Sequence, residues 1–252
     1  MMGKIDVELD GNVAMLKLDR DVINAVDMQV VKELNETLDR LRREDNISGL
    51  VVCSTNDKFF SIGFDIPQII GFDEEEFRTF FRGFNLACLD LYTFPKPTVA
   101  AITGHALAGG CILALCCDYR YIAEGRKLMG LNEIQLGVPV PYLADCIVRE
   151  LVGLRNARSI MDSGEFYGPE QLIQMGMVDK VLSLADVLPQ SIERVKLLGA
   201  MPQKAFAAIK HNRVERIEAQ VLACREEQEQ LFIDCLFSDE ARDRVKEAMK
   251  TF

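Results

Sequence analysis

Two histidines and no Cys-x-x-Cys pair occur among 252 residues, so the spacing from which zinc sites are built is missing. Positive charge is also short: 29 Lys and Arg stand against 39 Asp and Glu, a formal net charge of −10. Phosphate-backbone binding rests on clustered Lys and Arg, and the chain has no basic stripe, which excludes nucleic acid as a partner. A small ligand carrying phosphates would need a local patch working against the overall field. The first residues, Met1 to Asp10, alternate like a strand (Ile5, Val7, Leu9) and have neither the Arg-rich amphipathic stretch of a transit peptide nor the apolar block of a secretory signal. A cytoplasmic protein is expected. The eight cysteines fit that setting as reduced core thiols, since Cys111, Cys116 and Cys117 lie inside an apolar run. That run, Thr98 to Cys117, is about twenty residues without formal charge, roughly a membrane span in length. Gly104, His105, Gly109 and Gly110 interrupt it and Pro95 and Pro97 precede it, so a buried strand, a glycine turn and a core helix are expected instead.

What is present is enough for a sizeable core: 49% of residues are hydrophobic and 27% charged, as in globular proteins. Ile5 to Leu9 and Val13 to Leu18 flank an Asp10-Gly11-Asn12 turn and predict a hairpin. Val30, Val31, Leu34, Leu38 and Leu41 recur at helical spacing. Gly49 to Cys53 reads as a buried strand, Phe59 to Ile66 as an extended stretch, and Asp73 with Glu74 to Glu76 as the start of a helix. Val99 to Thr103, a helix from Gly109 to Cys117 and a strand over Tyr119 to Ala123 follow. From Pro189 onward helical patterns dominate, which divides the chain by composition into residues 1–188 and 189–252 without a flexible linker between them.

Three stretches could carry chemistry. The first two are Phe60-Ser61-Ile62-Gly63-Phe64-Asp65-Ile66 and Gly104-His105-Ala106-Leu107-Ala108-Gly109-Gly110-Cys111. Glycines at strand-to-helix junctions let backbone approach a ligand, and unpaired N–H groups from two segments can stabilise an oxyanion. Gly-Gly before a helix also serves plain packing, and neither spacing matches a dinucleotide or phosphate loop. The third stretch, Gly130 to Pro141, places Glu133 among Met129, Leu131, Ile134, Leu136 and Val138. Facing an apolar cavity, Glu133 would have its pKa raised toward working pH, as suits a general base. Read locally, it is better placed in solvent near a helix start. His105 reads as a packed, hydrogen-bonded residue and His211 as a solvated one.

Together, in this order and spacing, the stretches resemble the crotonase (enoyl-CoA hydratase/isomerase) superfamily over essentially the whole chain. Phe60 to Ile66 is similar to its first oxyanion segment, Gly104 to Cys111 with the helix ending at Cys117-Asp118 is similar to its second, and Asn24-Ala25 matches its loop near the CoA moiety. The resemblance implies an α/β fold, a crotonase/ClpP-like spiral of ββα units with a C-terminal helical trimerisation region, in a homotrimer or dimer of trimers. It implies that the amides of Phe64 and Gly109 hold a thioester oxygen and that Glu133 is the catalytic carboxylate. Ile62, Gly63, Phe64, Asp65, Ile66, Gly109, Asn24 and Ala25 would contact an acyl-CoA, with no metal and no cofactor beyond the coenzyme A of the substrate. Asn132 would orient or cap beside Glu133.

The departures from the family pattern narrow the reaction. Hydratases of the family carry a second glutamate where Ile112 stands, and dienoyl-CoA isomerases an aspartate where Pro141 stands. What remains resembles the 3,2-trans-enoyl-CoA isomerases, whose Leu-Asn-Glu-x-Gln-Leu-Gly stretch is matched by Leu131 to Gly137. A double-bond shift with one base is therefore expected. The competing expectations are weak hydration, decarboxylation or thioester hydrolysis, and a CoA-binding subunit without catalysis.

Overall fold

In a computed structural model of the chain, residues 4–249 are described; Met1 at one end, and Lys250 and Phe252 at the other, lie outside them. The hairpin forms as the turn signal dictates, β1 (Ile5–Asp10) pairing antiparallel with β2 (Val13–Leu18). The chain then runs through α1 (Met28–Arg43), β3 (Gly49–Ser54), β4 (Phe59–Ser61), α2 (Ile66–Ile70), α3 (Glu74–Tyr92), β5 (Thr98–Ile102), β6 (His105–Leu107), α4 (Gly109–Leu115), β7 (Tyr119–Ala123) and β8 (Met129–Gly130). A 3-10 helix (Glu133–Leu136), α5 (Tyr142–Ser163), α6 (Pro169–Met175), β9 (Lys180–Leu182), α7 (Leu184–Gly199), α8 (Gln203–Leu236) and α9 (Asp239–Met249) complete it.

After the first hairpin and α1, each of three turns of the chain adds one strand to a large sheet, one to a small sheet, and then helix or a 3-10 turn. The large sheet has the order β1-β2-β3-β5-β7-β9, parallel after its first hairpin, and the small one the order β4-β6-β8. This is the expected ββα spiral. Side chains alternate along the strands of the large sheet. Leu16, Leu50, Val52, Ala100, Ile102 and Ile122 face the main core with α1 and α3, while Met15, Val51, Cys53, Val99, Ala101 and Tyr121 face Val187 and Val195 of α7. Both faces are covered, which explains why these strands read as continuous apolar runs. α1 is started by Asp27, whose carboxylate accepts from the Val30 N–H, and α3 by a reciprocal capping box between Asp73 and Glu76.

Two expectations change and a third holds. The extended stretch over Phe59 to Ile66 is strand only to Ser61; Asp65 caps α2, and Pro67 in its first turn favours helix there. The compositional boundary at 188/189 falls inside α7, which packs on the large sheet, so the core and the helical part are continuous. The membrane-like run is split into β5, β6 and the seven-residue α4, and among the described residues no helix is long and apolar enough to cross a membrane.

The long α8 is fastened to the sheet through Asp118. This carboxylate accepts from the Thr98 amide (2.9 Å) and hydroxyl (3.1 Å), from Lys210 Nζ (2.8 Å) and from Arg213. Lys210 is only 2% exposed, and burial pushes its pKa down against the pull of Asp118. Removing one partner of a buried pair leaves an uncompensated charge, typically at a cost of about 3–5 kcal/mol. Asp118→Ala is expected to lose stability on that scale in urea denaturation at fixed protein concentration; a loss below about 1 kcal/mol would contradict the anchoring role.

Candidate active site

The two glycine segments meet backbone to backbone. After β4 the chain crosses the loop that precedes α1: Ile62 donates to Ile23 O (3.1 Å), Val26 donates to Gly63 O (2.7 Å) and Asp65 donates to Val26 O (2.9 Å). This short parallel bridge engages the Gly63 carbonyl and the Asp65 amide on either side of Phe64 and turns the Phe64 N–H away, leaving it without an acceptor among the described residues. Gly109 opens α4, so its N–H has no intrahelical partner either, and no other acceptor is present among the described residues. A Cβ added to Gly63 (φ +92°) would lie 2.7 Å from Gly109 N, and one on Gly110 would lie 2.2 Å from Ser61 O. Gly110 therefore serves packing, while Gly63 keeps the space beside the Gly109 amide free. Ala108, immediately before that amide, has φ 47°, a left-handed conformation costly for a residue with a Cβ. Two free, fixed N–H groups on facing segments can hold an anionic oxygen.

Both segments are braced. The Phe64 ring meets Phe80 (4.9 Å between centroids) and Phe84 (4.8 Å) edge-on, so its backbone position is tied to α3. Arg20 ties the next residue: its guanidinium pairs with Asp65, with Asp27 (3.0 Å) and, more weakly, with Asp21 (3.4 Å), and it donates to Ala25 O (3.2 Å). Lys4 completes the network at Asp27, whose carboxyl is held below its usual pKa: burial, the largest influence, raises it, and Lys4, the Val30 amide and Arg20 together outweigh that. Asn24, at φ 47°, donates to Ser54 Oγ (2.9 Å) and Phe60 O (3.3 Å), pinning the same loop.

A cavity of about 380 Å³ opens beside the two amides. Of the expected contact residues, Ala25, Ile62, Phe64, Asp65, Ile66 and Gly109 line it, and Glu133 lies in its wall. Asn24 and Gly63 do not line it; they shape the segments that do. The Asp65 carboxylate is engaged by Arg20 and by the Gln68 amide at 3.0 Å. Asn132 lines the cavity but makes no capping hydrogen bond to the 3-10 helix that follows, contrary to one of its expected roles. His105 is held by accepting from the Leu128 amide (3.1 Å), and His211 is exposed.

Glu133 begins the 3-10 helix, 5% exposed, with Oε2 unpaired. Desolvation by burial, offset only in part by its own backbone N–H, pushes its pKa up to about 7. Ile112 and Pro141 line the same cavity. The other lining carboxylates are Asp65, paired as above, and Asp21, which lies in the Arg20 network and accepts from the Ile23 and Asn24 amides. Glu133 is thus the one lining carboxylate among the described residues without a cationic partner.

Two contributions to the site were not foreseen. Arg20 carried no motif, and its role follows from contacts distant in sequence. The C-terminal helices, expected as a trimerisation region, fold back on their own chain: Phe232 and Leu236 of α8 and Val245 and Met249 of α9 line the cavity. The apolar spacing of α8 signalled burial but not against what.

The raised pKa of Glu133 has a sign for stability. Its ordinary value is 4.5 and its folded value about 7, so the folded state holds the proton more tightly. The stabilisation this confers is complete below pH 4.5 and lost as pH rises through about 7, to a total near 3 kcal/mol. Glu133→Gln, which cannot ionise, is expected to melt well above the wild type at about pH 8 and close to it at about pH 5. An equal difference at both pH values would contradict a buried, desolvated carboxylate.

With this geometry in hand, the similarities of the chain are informative. Residues 8–252 match the enoyl-CoA hydratase/isomerase family. The mouse protein "Enoyl-CoA delta isomerase 1, mitochondrial" (Mus musculus) is 31% identical over 179 residues, 71% of this chain but 62%, less than two thirds, of that relative's own length. A Mycobacterium avium (strain 104) protein named "Probable enoyl-CoA hydratase echA17" is 32% identical over 207 residues, 81% of this chain and 79% of the relative. The crystal structure of human mitochondrial delta3-delta2-enoyl-CoA isomerase superposes with a TM-score of 0.95 at 25% identity, covering 98% of this chain and 97% of that one. The chain belongs to the enoyl-CoA hydratase/isomerase family.

Proposed function

We propose that the chain is a 3,2-trans-enoyl-CoA isomerase that moves a double bond with one carboxylate and no water. The observation that carries this is the isolation of Glu133: desolvated, unpaired at Oε2, and lining a cavity in which Ile112 and Pro141 offer no carboxylate and the remaining ones, Asp65 and Asp21, are paired with Arg20. In the reaction, Glu133 takes a proton from carbon 2 of a 3-enoyl-CoA and the electron pair moves onto the thioester oxygen. The resulting dienolate is held by the N–H groups of Phe64 and Gly109. Glu133 then returns the proton to carbon 4, and the electrons collapse into a double bond between carbons 2 and 3. One base serves both ends because the acceptor and donor carbons lie on the same allylic system.

Ile62, Phe64, Asp65, Ile66 and Ala25 border the path of the thioester, with Asn24 and Gly63 acting through the segments they shape. Coenzyme A belongs to the substrate, and the chemistry calls for neither metal nor further cofactor. Assembly as a homotrimer or dimer of trimers is part of this proposal, supported by apolar side chains left exposed outside the cavity, Leu154 and Leu222 among them. A cytoplasmic setting agrees with eight unpaired cysteines, six of them buried.

The test is conversion of trans-3-enoyl-CoA to the trans-2 isomer, run beside hydration of crotonyl-CoA. Isomerisation is expected to dominate, to rise with pH through about 7 as Glu133 ionises, and to fall by about 10²–10⁴-fold in Glu133→Gln. Dominant hydration, or full activity in the variant, would overturn the proposal.

A further inference from the structure

The cavity has an open end and a closed end of opposite character. Around Arg20, Asp21 and Ile23 its lining is exposed or half-buried and carries charge, whereas Phe77 is fully buried and Phe232 is 4% exposed at its apolar floor. A bulky, polar CoA can leave only by the open end, which sends the acyl chain toward the phenylalanines. There the rings are layered. Phe77 lies parallel to Phe232 (6.0 Å, 8°), and Phe232 stacks on Phe81 at 4.2 Å.

Behind that layer is a second cavity of about 150 Å³ between α3, α5 and α8. Phe232 lines the first cavity and Phe81 the second, so one stacked pair separates them. The second cavity opens to the surface past Leu86 (48% exposed) and Leu222 (50%), and offers inner wall from Leu89, Leu143 and Val221, with Glu229, 3% exposed, placing Oε2 on Arg82 Nε (3.0 Å) and Oε1 unpaired.

We propose that Phe232, backed by Phe77 and Phe81, is the stop that limits acyl-chain length, and that the cavity behind it is the space a longer chain enters once the stop is removed. This rests on the isomerase reading for the identity of the substrate. The physical basis is that stacked rings in a packed core do not part without loss of contact on both faces, whereas a hydrocarbon tail gains only by filling existing space. The floor offers no polar partner, so the tail it accepts is plain hydrocarbon.

The experiment measures kcat/KM for hexenoyl, decenoyl and hexadecenoyl thioesters of the 3-enoyl series with wild type, Phe232→Ala and the milder Phe232→Leu. Dissociation constants of saturated hexanoyl- and hexadecanoyl-CoA are measured alongside by calorimetry, and folding is checked by melting. In the wild type the hexadecenoyl thioester is the poor substrate. Phe232→Ala is expected to raise the hexadecenoyl-to-hexenoyl ratio of kcat/KM by roughly tenfold or more, and Phe232→Leu to move it less in the same direction. The ratio of binding constants moves likewise. Folded variants whose binding and turnover ratios both match the wild type overturn the stop. Absence of turnover at every length overturns the isomerase reading instead, and the binding ratios then decide the role of Phe232.

Discussion

Contact between two backbones, with no side chain in between, is the constraint on which the rest of the site depends. Gly63 and Gly109 approach so closely that a Cβ on the former would press on the amide of the latter. The approach orients two N–H groups that neither sheet nor helix uses. It also has a cost, visible in the left-handed backbone of Ala108, a conformation worth on the order of 1–3 kcal/mol of strain. The surroundings supply the restraint that such strain requires. On one side Phe64 is wedged against Phe80 and Phe84; on the other Arg20 gathers Asp65, Asp27 and the Ala25 carbonyl. The ββα spiral matters to function because it delivers both segments from adjacent strands of the small sheet, β4 and β6, at one level.

Beside this polar constriction the cavity is apolar, and that contrast defines Glu133. A carboxylate with an arginine beside it is held in an ion pair, as Asp65 is by Arg20. Without one, burial raises its pKa to about 7, where it can both accept and give up a proton near neutrality. Ile112 and Pro141 contribute by what they fail to offer: neither can hold a water against the substrate. The charged network around Arg20 and the isolated carboxylate are therefore complementary, one fixing the oxyanion donors and the other left free to move a proton.

Local signals were legible in the sequence. The hairpin, α1 and α3 follow from turn residues, helical spacing and caps that act within a few positions. The three motif stretches were visible because their glycines and their order are specific. The reading failed over Ile62 to Ile66, where an extended pattern concealed a helix start that Asp65 and Pro67 did signal. It was silent where contacts are remote. Arg20 meets Asp65 across 45 positions, and Phe232 reaches the cavity only because α8 returns over α3. The environment of Glu133 was legible in part: the family resemblance singled out Ile112 and Pro141, but no neighbour in sequence announces that Phe166 lines the same cavity.

The central claim is that one carboxylate carries one proton between two carbons without water. It is tested most directly by following a label placed on carbon 2 of a 3-enoyl-CoA. With deuterium there, single turnovers in ordinary water are predicted to yield trans-2-enoyl-CoA with deuterium recovered at carbon 4, beyond what free exchange with solvent allows. Complete loss of the label to solvent together with 3-hydroxyacyl-CoA as the product would contradict it.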